Sequence, residues 1–302
     1  MTRWTSSRSS FVFTLFVVGG VSQYLGYAVA IRGFDQLGPI AAAWFRSLLT
    51  GLVLLVVLRV WRLPILRQRR FLLASLGFGL LMWLLNIVNF YAMAEIDLGL
   101  ATGLEFLGPI VLAVALSRSR RSLALALLCA VAIGLMTYPS GTSSVNTVGV
   151  VLALLSGALW ATYIVVAAYF DSVRTALAAL AVGLVVVAPM MTLLELAVGA
   201  NSDTGLAALE LEWSTVGRGL AIALLASVVP YAIDVYCIGR VGPRLYALFL
   251  GLLPVFAILA GFFLLDQRLS LAQACGVVLI GVVIAVVRGE VDAPRSPEST
   301  LR

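Results

Sequence analysis

Apolar runs of about twenty residues follow one another along almost the whole chain, separated by short breaks rich in arginine, glycine, proline and hydroxyl residues. They lie near 11–31, 38–58, 71–94, 98–116, 122–138, 148–169, 175–199, 215–238, 245–265 and 271–287. A helix crosses the hydrocarbon core of a bilayer with about 20 predominantly apolar residues. Lipid offers unpaired backbone groups no partner, so only a helix or a closed barrel can span it. The pattern therefore predicts an all-α membrane protein of about ten transmembrane helices. The run that starts at Phe11 follows Arg3 and Arg8 and ends in Ala28-Val29-Ala30, as a cleaved leader would. It is too long for an ordinary leader core, and its loss would leave the first half unmatched, so it is taken as the first span.

Composition agrees with this pattern. Hydrophobic residues make up 62% of the 302, charged residues 11%, and the mean hydropathy is +1.09, against about 25% charged in a soluble domain. Too little polar surface remains to cover a globule in water. The pI of 9.6 does not imply a nucleic-acid partner, because the basic residues are scattered through loops and form no single basic face. All 20 basic residues are arginine. With the N-terminus inside, only Arg32, Arg218 and Arg268 fall on the outer side and Arg46 lies within a span; the rest fall on the inner side. That bias predicts an even number of spans with both termini cytoplasmic.

The chain also carries an internal repeat. A shift of about 145 residues pairs Tyr91 with Tyr236, Leu100 with Leu245, Leu107 with Leu252, Pro109 with Pro254 and Ala115 with Ala260. Five spans is an odd number, so a second copy enters the membrane upside down, as in many secondary transporters. The expected organisation is a first repeat over 1–141, a second over 142–288, and a disordered cytoplasmic tail over 289–302.

Histidine and lysine are absent. This removes histidine catalysis, histidine-ligated metal and a histidine proton switch, so any proton coupling must use a carboxylate. Cys129, Cys237 and Cys275 fall in apolar runs without metal-ligand spacing and are read as packing residues. No cofactor is implied. An intramembrane enzyme would have only an acid pair to work with.

An ionisable side chain in a span costs roughly 2.5–3.5 kcal/mol on insertion scales, so each asks for a reason. Arg46, Glu105, Glu195 and Asp234 are the four. Arg46 is either functional or a buried clamp on carbonyls or an acid, and Glu195 is near enough to the surface to snorkel. Glu105 shares a face about 60° wide with Thr102 and Pro109; Asp234 shares one about 100° wide with Ser227, Pro230 and Tyr231. Proline frees a carbonyl and marks a helix break, expected here at Pro109, Pro230 and Pro254. Irregular backbone of this kind is tolerated where it faces protein or a watery cavity. Similar mixed stripes carry Gln23 and Tyr27 on span 1, Trp83, Asn86 and Asn89 on span 3, and Ser156, Trp160 and Tyr163 on span 6. Polar side chains among aromatics suit a small-solute pathway, although aromatic and glycine stripes alone often only pack helices. Between the two acids, Glu105 is the better candidate for proton exchange. In the repeat its position is matched by apolar Leu250, whereas Asp234 is matched by polar Asn89.

The segment Leu98-Gly99-Leu100-Ala101-Thr102-Gly103-Leu104-Glu105-Phe106-Leu107-Gly108-Pro109 resembles the span-4 motif of EamA-type members of the drug/metabolite transporter superfamily. Within that superfamily the resemblance is to the threonine and homoserine exporter branch. The run Gly157 to Ile164 and the run from Pro230 through Pro254 to Leu269 are similar to segments of the same branch. The resemblance implies two inverted five-helix repeats and a central cavity lined by spans 1, 3, 4, 6, 8 and 9. It further implies a small-molecule substrate exported across a bacterial inner membrane, with Glu105, Asp234 and Arg46 matching the family's acidic and basic positions. Two departures stand out: Leu253 where the branch has a glutamate before the span-9 proline, and Gln267 for the glutamate usual after that span. The expected function is alternating-access export of an amino acid, with protons as a candidate co-substrate. Export of organic cations or other amphipathic metabolites is the alternative within the class, and a non-transporting scaffold or sensor the alternative outside it.

Overall fold

The computed structural model describes residues 6–117, 120–136, 146–167, 169–170, 172–198, 213–234, 236–237, 250, 252–267, 270–272, 274–276 and 278–279. The described residues form helices and turns: α1 (Ser6–Ile31), α2 (Phe34–Val57), α3 (Arg69–Glu95), α4 (Leu98–Ser117), α5 (Arg120–Met136), α6 (Thr147–Ala167), α7 (Val173–Val198), α8 (Trp213–Asp234) and α9 (Leu253–Leu264). Six segments among them are long and apolar enough to cross a membrane, in α1, α2, α3, α6, α7 and α8. Most of the 139–147 connection, most of the 200–214 loop, the side chain of Glu195, most of the tenth expected span and the tail from 289 lie outside the described residues.

Helix boundaries follow the chemistry of the breaks. Phe34–Leu37 forms a turn ahead of the expected start of span 2, and Gly38, at φ 66° and ψ 162°, separates it from the main helix. Only glycine takes that conformation without strain, and Pro39 then restarts the helix. Between α2 and α3 the arginine-rich segment folds as two short 3₁₀ turns, Val60–Arg62 and Pro64–Arg67. Arg174 at the start of α7 donates to the Leu58 carbonyl at 3.5 Å, a cation placed at the C-terminal end of α2. Asn146 caps α6 through Val148 N–H at 2.9 Å, while its amide donates to Glu95 at the end of α3.

The proline expectations come out in three ways. Pro109 lies inside α4 without ending it. Pro254 falls in the first turn of α9, where its missing N–H would have had no partner. Pro230 follows a π turn over Leu224–Val228 within α8.

α3 packs on α6 and α7, α2 on α7 and α8, α1 on α8 and α9, and α4 on α6 and α9. Exchanging α1 with α6, α2 with α7, α3 with α8 and α4 with α9 maps this set of contacts onto itself. The tightest contacts run through glycines. A Cβ on Gly79 would collide with Gly183 across the α3–α7 contact, and one on Gly108 with Gly157 across α4–α6. Lipid gives no hydrophobic drive between helices, so such close backbone approach supplies the packing instead. Outward faces carry Val18, Val21, Val56, Val57, Phe262 and Phe263 exposed from the protein, as suits an apolar solvent.

Candidate functional site

The polar side chains that composition makes scarce converge where α1, α2, α3, α4, α6 and α8 meet. Arg46, Asn86, Asn89, Thr102, Glu105, Ser156 and Ser227 are all buried, and Ser47, Thr50 and Ser22 join them. Asn86, Asn89, Thr102, Glu105, Ser156 and Ser227 come from the mixed stripes of their helices, and the glycine contacts bring those helices close.

The π turn of α8 organises one side of the cluster. Within it the Val229 N–H bonds Leu224 O, so Leu225 O loses its usual partner four residues on. Its alternative, residue 230, is a proline without an N–H. Ser22 of α1 takes up that carbonyl, donating to Leu225 O at 3.0 Å. Pro230 also deprives Ala226 O of its regular partner. Arg46 of α2 reaches this point, with Nη2 donating to Ala226 O at 3.4 Å and Nε to Ser227 Oγ at 2.7 Å. Gly26 makes the approach possible, since a Cβ there would meet the Ala226 backbone N at 2.5 Å. Arg46 thus holds a carbonyl of α8, and its guanidinium also lies 4.9 Å from the Tyr27 ring centroid and 5.4 Å from that of Phe90. Tyr27 in turn meets Tyr24 and Phe90 edge-on, at 5.4 and 5.9 Å, and accepts a 3.4 Å hydrogen bond from Gln23 Nε2.

Glu105 forms the other pole. Ser156 Oγ of α6 donates to its Oε1 at 2.6 Å. The carboxylate lies within electrostatic reach of Arg46 and close to the Asn89 amide, while Arg46 directs Nε and Nη2 to α8. Asn86 Nδ2 donates to Ser47 Oγ at 3.0 Å. Several buried atoms have no hydrogen-bond partner among the described residues: Arg46 Nη1, Asn86 Oδ1, both amide atoms of Asn89, Thr102 Oγ1, and the indole N–H of Trp83. Buried polar groups are nearly always paired, so this concentration points to a place where a polar ligand belongs.

The remaining sequence candidates fall elsewhere. Trp160 packs edge-on against Phe106 at 5.8 Å, flanking Glu105. Tyr163 stacks on Phe78 at 5.4 Å and, with Tyr231, packs on a second apolar cluster formed by α2, α3 and α7. Asp234 interacts electrostatically with Tyr163 and with Cys237, and Tyr231 with Arg46 and Tyr27. Ser22, Tyr24 and Ser47 were not singled out from the sequence, whereas Phe90 lay on the mixed stripe of span 3. Ser156 and Ser227 lay on the mixed stripes, but only their cross-helix partners mark them as part of the site.

Residues 147–289 match the EamA-like transporter family. The threonine/homoserine exporter RhtA of Escherichia coli strain K12 is 29% identical over 267 residues, 87% of this chain and 85% of that protein. RhtA of Salmonella typhimurium strain LT2 is 29% identical over 276 residues, covering 90% and 89%. A solved crystal structure aligns with a TM-score of 0.61 at 16% identity, covering 96% of this chain and 100% of that one, a likeness of fold alone.

Proposed function

From the premise that the chain is an EamA-type transporter of the threonine/homoserine exporter kind, we propose that it exports a small amino acid, such as threonine or homoserine, across a bacterial inner membrane. The organisation would be ten spans in two inverted repeats, residues 1–141 and 142–288, with both termini cytoplasmic. The observation that carries the reading is the buried polar cluster, with its unpartnered atoms, between helices of both halves. Burying such groups without partners costs about 1–3 kcal/mol each, a penalty that folding alone does not explain and a bound solute relieves.

In alternating access the halves rock about this cluster and open it to each side in turn. Glu105 is the group through which a proton and the substrate ammonium compete. Binding of one displaces the other, which couples export of substrate to entry of a proton. The test is counterflow of a panel of radiolabelled amino acids, threonine and homoserine included, into proteoliposomes of the purified protein. Saturable exchange of at least one is expected. Absence of exchange for the whole panel would sink amino-acid export, and uptake of an organic cation instead would establish the alternative substrate class.

A further inference from the structure

Two opposite charges lie in the same buried cluster with no ion pair between them among the described residues. Arg46 spends Nε and Nη2 on α8 and leaves Nη1 unpartnered among the described residues; Glu105 receives the Ser156 hydroxyl. Removing two charges from water and then holding them apart is an expensive arrangement, since the attraction that would offset desolvation is not collected. Asn89, close to Glu105, carries an amide with a donor on one side and an acceptor on the other, both buried and both unpartnered among the described residues. A single anion would leave Glu105 unmatched, and a single cation would do the same to Arg46.

Resting on the export reading above, we propose that the cluster is a two-pole site for the zwitterionic head of a free α-amino acid. The α-carboxylate binds Arg46 Nη1 and the Asn89 Nδ2 donor, and the α-ammonium binds Glu105 and the Asn89 Oδ1 acceptor. The side chain of the substrate then faces the aromatic wall of Tyr27, Phe90 and Trp160, so selectivity lies in the head group first. Such a site excludes molecules that carry only one of the two charges, because each leaves a buried polar group unpaired. Asn89 is the specificity-determining residue, since in this arrangement it binds both ends of the head group and its amide has no hydrogen-bond partner among the described residues.

The experiment is counterflow of tritiated L-threonine in proteoliposomes, challenged with unlabelled L-threonine, L-threoninamide, which lacks the carboxylate, and N-acetyl-L-threonine, which lacks the ammonium. Both analogues are expected to compete at least about tenfold more weakly than threonine. Equal competition by either, with threonine flux intact, overturns the two-pole site and leaves export standing; absence of exchange for every amino acid of the panel in the unmodified protein overturns both. The second arm is Asn89→Leu. Because the Asn89 amide has no hydrogen-bond partner among the described residues, this variant is expected to melt no lower than the parent in detergent while losing at least about tenfold in threonine flux. Unchanged flux in that variant also overturns the assignment, and a fall in melting temperature with flux retained per folded molecule shows Asn89 to be structural.

Discussion

Ser156 donates a 2.6 Å hydrogen bond to Glu105 across the contact of α6 with α4, at a point where Gly157 and Gly108 let the two backbones touch. The bond satisfies part of a buried carboxyl and fixes its direction. Ser156→Ala removes the donor and leaves that oxygen unsatisfied, a loss of about 1–3 kcal/mol. A lower melting temperature in detergent with weakened flux is the expected outcome. Unchanged melting and flux would show that Glu105 is satisfied without Ser156.

The glycine contacts give a paired prediction. Gly183→Ala places a Cβ against the Ser75 carbonyl and Gly79, and Gly157→Ala against the Glu105 backbone, whereas a Cβ on Gly77 meets nothing within 4 Å. Gly183→Ala and Gly157→Ala should lose monodisperse protein on size exclusion, and Gly77→Ala should not, with a gain of up to about 1 kcal/mol from helix propensity. Equal behaviour of the three would mean that close backbone contact does not hold these helices together.

Pro230→Ala restores an N–H to α8, which then competes with Ser22 and Arg46 for the Leu225 and Ala226 carbonyls. The variant should remain folded while flux falls about tenfold, equivalent to about 1.4 kcal/mol of barrier. Flux at the parental level would show that the irregular turn serves packing only.

Glu105→Gln and Asp234→Asn should insert and remain monodisperse, each with flux reduced at least about tenfold. An imposed pH gradient is expected to drive accumulation in vesicles of the parent protein. Glu105→Gln should abolish that dependence while leaving some exchange of substrate. Full gradient-driven accumulation in Glu105→Gln would place the proton on another group.

Reporter fusions after Arg302 and near Asp203 should give opposite compartment signals, inside for the first and outside for the second. The same signal from both would overturn the even-span topology that the arginine bias implies.

Much of the site was legible in the sequence because charge and amide groups are so costly in lipid that their presence is itself a signal. Arg46, Asn86, Asn89 and Glu105 stood out on that ground alone, and helical spacing placed Thr102 on the face of Glu105. Hydroxyl residues carry no such signal. Ser22, Ser47, Ser156 and Ser227 can each satisfy a carbonyl of their own helix, so their use as cross-helix partners is invisible along the chain.

What the sequence determined by itself was the solvent of the protein, the positions of most helices and the set of groups available for chemistry. Hydrophobic length, arginine placement and periodicity are properties of one strand of chain, and lipid enforces them locally. What only the tertiary structure decided was which of these groups meet. It put Arg46 on the Ala226 carbonyl that Pro230 releases, Glu105 on Ser156 and Asp234 beside Tyr163. Periodicity fixes the face a side chain occupies but not the helix opposite or its depth; those depend on where glycines let two backbones close, a relation between residues far apart in the chain.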